Sequence, residues 1–239
     1  MNKITTARYR LFPAKERGYA DYGWLKTFYS FSFADWYHPQ KIHFGMLRVL
    51  NDDSIAPHSG FDLHPHNNME IITLMFQGEL THTDSMGNKG TIYADEVQVM
   101  SAGTGILHAE KNTGSDWTKL FQIWIFPDKK GYDPRYEQKK FSLNPNHLQL
   151  LVSPDGRNAS LWIHQNAYLS RGIFEKNTKL HYPLYDKNNG IYLMVIAGQI
   201  QIEDVTLHSK DAVGIWNTES LNIHCISNSD ILIIEIPMH

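Results

Sequence analysis

GFDLHPHNNMEIITLMFQGELTHTD, residues 60–84, is the stretch from which the fold can be read. Within it, MEIITLMF (69–76) has the length and the β-branched content of a buried strand. The run breaks at Gln77-Gly78 and resumes as ELTHTD (79–84), a second strand. SMGNKG (85–90) is dense in turn formers and closes a hairpin. Further on come EVQVM (96–100), the turn SAGTG (101–105), ILHAE (106–110) and KLFQIWIF (119–126), whose alternation suits a buried strand. Capped helical patterns are scarce. Many short strands separated by regular turns predict an all-β sandwich or barrel.

The same stretch carries the chemistry. His64 and His66 are spaced i, i+2, as are His108 and Glu110 in SAGTGILHAEKN (101–112). On a strand that spacing puts both members of a pair on one face. Two such strands side by side in a barrel would aim three imidazoles and one carboxylate at one point. That donor set suits iron, nickel, copper, zinc or manganese. A lone histidine is usually structural, and the chain has 13; the two pairs together are what point to a metal. His82 reads as a pleat residue, His58 as loop surface, and His181 and His224 as packing or surface positions. Glu70 reads as a hydrogen-bonding acid rather than a fifth ligand. Pro65 either stiffens the histidine pair or marks an edge strand. Gly103 and Gly105 serve turn geometry.

The second half repeats the first. IITLMFQGELTHTD (71–84) is echoed by IYLMVIAGQIQIED (191–204), and DEVQVMSAGTGILHAE (95–110) by KDAVGIWNTESLNIHC (210–225). A repeat of this length predicts two similar β-barrels. The stretch 127–149, rich in Pro, Lys and Asn, reads as a linker with room for a short helix. We therefore expect a metal-binding domain over 1–130 and a second barrel over 131–239. The second half lacks the His-x-His pair, and roughly Cys225 stands where the first has Glu110. It is expected to bind no metal and to pack against the first barrel.

Composition sets the remaining bounds. The chain has 239 residues, 42% of them hydrophobic and 12% aromatic, enough for a large core. Its 22 basic and 25 acidic residues give a net charge of -3, which favours neither nucleic acid nor an anionic membrane. Lys129, Lys130, Lys139 and Lys140 read as solvated linker charges. The single cysteine, Cys225, excludes an internal disulfide and reads as a small buried hydrophobe. The N-terminal residues lack the apolar run of a signal peptide, and no apolar stretch is long enough to span a bilayer. A soluble, cytoplasmic monomer is the expectation.

Taken together, His64, His66, Glu70 and Gly78, followed by Gly105, His108 and Asn112, match the two motifs of the cupin barrels. The chain further resembles the pirin family, most closely over 16–39, 47–92, 99–110 and 121–141 and more weakly but in register over the C-terminal half. That resemblance implies a bicupin fold, two double-stranded β-helix barrels, with one metal in the N-terminal barrel. It implies Fe(II) as the metal and His64, His66, His108 and Glu110 as its ligands, with nickel, manganese, copper or zinc as alternatives. It also implies opening of flavonols such as quercetin by dioxygen, with Glu110 as the base that takes the substrate hydroxyl proton. The alternative from another class is an iron-dependent regulator acting on a protein partner. A third is a different cupin reaction at another metal.

Overall fold

The computed structural model describes residues 7–239. Among the described residues there is no α-helix: the elements are strands and two short 3-10 turns, Ala14–Glu16 and Arg157–Ala159. Among the same residues no helix is long and apolar enough to cross a membrane. The strands form two large and two small sheets. In the first half, a seven-stranded sheet includes Leu25–Tyr29, Leu47–Ile55, Thr118–Ile125, Glu70–Gln77 and Glu96–Ser101 in that spatial order. A four-stranded sheet lies over it, ordered Gly60–His66, Ile106–Lys111, Glu79–Asp84, Lys89–Tyr93. Leu80 and Ile92 of the small sheet pack with Leu25, Ile55, Met75 and Leu120 of the large one. The second half repeats the arrangement, with its own seven-stranded sheet under Lys179–Pro183, Ser220–Cys225, Gln199–Ile202 and Val205–His208. These are the two similar barrels that the repeat predicts, arranged as the bicupin that the family resemblance implies.

The barrels pack back to back through their large sheets. Ile72, Leu74, Phe121 and Ile123 of the first meet Met194, Leu232, Ile234 and Ile236 of the second in one cluster. A strand such as Glu70–Gln77 is thus covered on one face by its own barrel and on the other by the neighbour. That is why 71–75 are buried throughout, with only Thr73 polar, rather than alternating between buried and exposed.

The chain crosses between barrels more than a simple tandem would. Arg8–Phe12 pairs with Ala212–Trp216 and forms the edge of the second large sheet. Arg135–Lys140 pairs with Glu96–Ser101 and forms the edge of the first. The 127–149 stretch therefore holds no short helix. It contributes that edge strand, and from His147 it enters the second sheet. A division at 130/131 separates most of each sheet but leaves these two strands on the far side. Polar strand residues such as Glu137 and Gln138 hide the signal, because an edge strand needs only one apolar face.

The turn glycines at corresponding repeat positions do corresponding work. Gly78 and Gly198 have φ of +76° and +94°. A Cβ there would lie 2.6 Å from Thr118 Oγ1 and 2.3 Å from the Asn228 carbonyl oxygen, so neither position accepts a side chain.

Candidate metal centre

The small sheet of the first barrel builds the site. His108 of strand Ile106–Lys111 pairs directly with His64 of Gly60–His66, and Ile106 pairs with His66. A register shift between His108 and Glu110 leaves both turned inward on one strand, His108 1% and Glu110 2% exposed. Pro65 lies on the edge strand, opposite Leu107, where its missing N–H costs no ladder bond on the open side.

The three imidazoles converge. Ring centroids are 4.4 Å apart for His64 and His108, and 4.9 Å for each other pair. One nitrogen from each lies within 4.8 Å of the others. His64 Nδ1 sits 2.7 Å from the Asp62 carbonyl oxygen. A carbonyl only accepts, so Nδ1 carries the proton and Nε2 presents its lone pair. His66 Nε2 and both nitrogens of His108 are buried without a hydrogen-bond partner. Burial, then the neighbouring His64, pushes His66 down to about 4. Burial, followed by His64, His66 and His82, pushes His108 down to about 2. Both rings are held neutral at physiological pH, the form that binds a metal. Orphaned, neutral, convergent imidazoles fit a divalent transition metal.

Glu110 enters from the side. Its Oε2 accepts a 2.9 Å bond from Gln122 Nε2. Its carboxylate groups with His108 and His82 within 4.8 Å, so His108 links it to the His64–His66 pair. Burial, then the nearby Asp53, pushes Glu110 up to about 7. Burial also pushes Asp53 up to about 7, with Asp52 adding to the effect. Buried carboxyls beside neutral imidazoles make a site that gains from a cation.

The centre opens into a cavity of about 190 Å³. Leu25, Phe33, Phe61 and Trp124 give it apolar, flat walls. Trp124 meets the His66 ring edge to face at 4.8 Å.

Other histidines and acids fall into distinct roles. His82, expected as a pleat residue, is fully buried, with Nε2 3.1 Å from Asp84 Oδ2 and its ring stacked on Tyr136. Glu70 accepts a 2.6 Å bond from Ser101 and faces His164 Nδ1 of the second half at 3.2 Å, which ties the barrels together beside the site. His58 and His181 are exposed. Sequence reasoning missed Thr27, Asn51, Asp53, Gln122 and Trp124, all of which line the cavity. Asn51–Ser54 is composed of turn formers, so nothing local marks it as the middle of a strand.

In the second barrel the corresponding positions are filled differently. Ile223 pairs with Leu180 and Leu221 with Tyr182, where the first barrel has His108 with His64 and Ile106 with His66. Cys225 is buried opposite Ile200, where Glu110 faces His82.

Two cupin barrels, one of them carrying a histidine cluster in its small sheet, make this protein a bicupin with a candidate metal centre in its first barrel. Residues 12–125 match the Pirin family and 150–236 the quercetinase C-terminal cupin domain. The chain is 41% identical over 228 residues to the quercetin 2,3-dioxygenase of Escherichia coli strain K12, covering 95% of this chain and 98% of that one. It is 37% identical over 226 residues to a pirin-like protein of Caulobacter vibrioides, covering 93% and 97%. The crystal structure of the bacterial pirin YhhW from Escherichia coli in complex with nickel(II) superposes with a TM-score of 0.91 at 40% identity, covering 96% and 99%. The chain belongs to the pirin family.

Proposed function

We propose that this protein is a metal-dependent dioxygenase that opens flavonol-type substrates such as quercetin. Fe(II) is the proposed native metal, and His64, His66, His108 and Glu110 are its proposed ligands. The observation that carries the reading is the opening of the imidazole cluster into an aromatic-lined cavity of about 190 Å³. Nickel(II) in the related structure supports a divalent metal at such a site. When bound, the ion supplies Lewis acidity toward a deprotonated substrate oxygen.

The protein's own residues do the rest. Leu25, Phe33, Phe61 and Trp124 hold a flat ring system and exclude water. Glu110 faces the cavity and takes the substrate hydroxyl proton as general base. Gln122 donates to its carboxylate and fixes its direction. The test is oxygen consumption by Fe(II)-loaded protein given quercetin, beside a His64→Ala control. Uptake that disappears in the control supports the reading. Absence of uptake from protein shown to hold one iron per chain overturns it. Metal content after expression in defined medium decides between iron and its competitors.

A further inference from the structure

The cavity contains a second polar feature, apart from the imidazole cluster. Asp53 and Asn51 point to one face of strand Leu47–Ile55, each 4% exposed. Asp53 pairs across the sheet with Thr27, and Asn51 with Tyr29. All four line the cavity that the imidazoles line. Asn51 Oδ1 is buried and has no hydrogen-bond partner, and Thr27 Oγ1 and Asp53 Oδ1, buried beside each other, make no hydrogen bond of good geometry. Buried polar atoms in folded proteins are almost always paired. Three orphans on two neighbouring strands, facing one cavity, mark a place where a ligand supplies the missing bonds.

The chemistry of the wall narrows the ligand. An amide oxygen and a carboxyl oxygen accept, and the threonine hydroxyl does either. Among the described residues no Lys or Arg lines the cavity, so an anionic group finds no basic side chain among them. Hydroxyl groups fit. The remaining walls are aromatic and aliphatic, so the hydroxyls belong on a planar ring.

We infer that Asp53, Asn51 and Thr27 form a hydroxyl-recognition subsite, a second anchor for a polyhydroxylated aromatic ligand besides the imidazole cluster. It rests on the flavonol reading above and assigns residues to substrate choice within it. A ring with hydroxyls beyond the one near the cluster gains these bonds. A ring without them leaves the wall unpaired, and a site built to bond a hydroxyl discriminates strongly against an analogue lacking it.

The test is anaerobic titration of nickel(II)-loaded protein, followed through tryptophan fluorescence because Trp124 lines the cavity. The probes are quercetin and 3-hydroxyflavone, which lacks quercetin's additional hydroxyls. The wild type is expected to prefer quercetin by about 10-fold or more. Asp53→Leu and Thr27→Val, each compared with wild type at full nickel occupancy, should reduce that ratio toward unity, with 3-hydroxyflavone affinity within about two-fold of wild type. Thr27→Val keeps the shape of its side chain and serves alone if Asp53→Leu fails to fold. A wild type that does not discriminate, or variants that keep its ratio, overturns the subsite. Oxygen uptake separates the two readings. Intact discrimination without uptake sinks the dioxygenase and leaves the subsite. Uptake with unaltered discrimination in the variants does the reverse. Failure of both probes to bind overturns both.

Discussion

Across the large sheet of the first barrel one inward row reads Tyr29, Asn51, Gln122, Thr73, Gln98; the row at the same place in the second reads Leu150, Ser170, Ile233, Leu193, Val213. The backbone scaffold is shared and the lining is reversed. An apolar row closes on itself and adds to the core, since buried aliphatic surface stabilises a fold. A polar row does so only if its groups find partners. Two of the five do not, Asn51 and Gln98, and among the described residues every unpaired buried side-chain polar atom except Tyr192 Oη belongs to the first half of the chain. The second barrel also has a buried acid, Glu235, and there the accounting is complete. It accepts from Tyr182 Oη at 2.8 Å, the Tyr185 and Asp186 amides, and Asn189 Nδ2. The second barrel's interior is thus largely paired within itself, while the first barrel's leaves polar atoms without a partner.

The comparison breaks most visibly if a residue is moved from one barrel to the other. His108→Ile, which installs the residue of the second barrel at its counterpart, should abolish stoichiometric metal binding, a loss beyond the roughly 100-fold that supporting residues cost. Metal analysis after dialysis checks it. Added nickel should raise the Tm of the wild type and leave that of the variant unmoved.

Truncating the apolar row should damage folding rather than function. Ile233→Ala empties a fully buried position and should cost about 2–5 kcal/mol in denaturant unfolding, with metal stoichiometry at 25 °C intact. A loss of metal equal to that of His108→Ile would erase the division of labour between barrels.

Gln122→Leu sharpens the contrast from the first barrel. It removes the donor that aims Glu110 and should weaken metal affinity or turnover by about 10–100-fold. Its unfolding free energy should fall by about 1–3 kcal/mol, because the buried Glu110 carboxyl and Thr73 hydroxyl lose their partner. Tyr182→Phe carries the smallest effect. Glu235 keeps three of its donors, so the cost is about 1 kcal/mol of stability with no change in metal content. A change in metal binding there would mean that the second barrel reaches the site directly.

Much of this was legible in one dimension because it depends on local periodicity. The i, i+2 spacing of His64 with His66, and of His108 with Glu110, fixes a shared face on any strand. Apolar runs ending at Gly78 and Gly198 mark the repeat, since only glycine fits those turns. Cys225 reads as buried from composition alone, and it is.

The rest depends on which distant strands become neighbours. Nothing near Arg8–Phe12 says that it completes the far barrel, and nothing near Arg135–Lys140 says that it returns to the first. Asn51 and Asp53 stand among turn formers, and their place in a strand is decided by partners at Tyr29, Thr27 and Gln122. The sequence by itself determined the strands, the repeat and the two histidine-bearing pairs, because each is a pattern within a few residues. Only the tertiary structure decided that one barrel has a polar interior row with Asn51 and Gln98 unpaired while the matching row of the other is aliphatic apart from Ser170. Each interior row is assembled from five strands, and no segment of the chain contains more than one of its members.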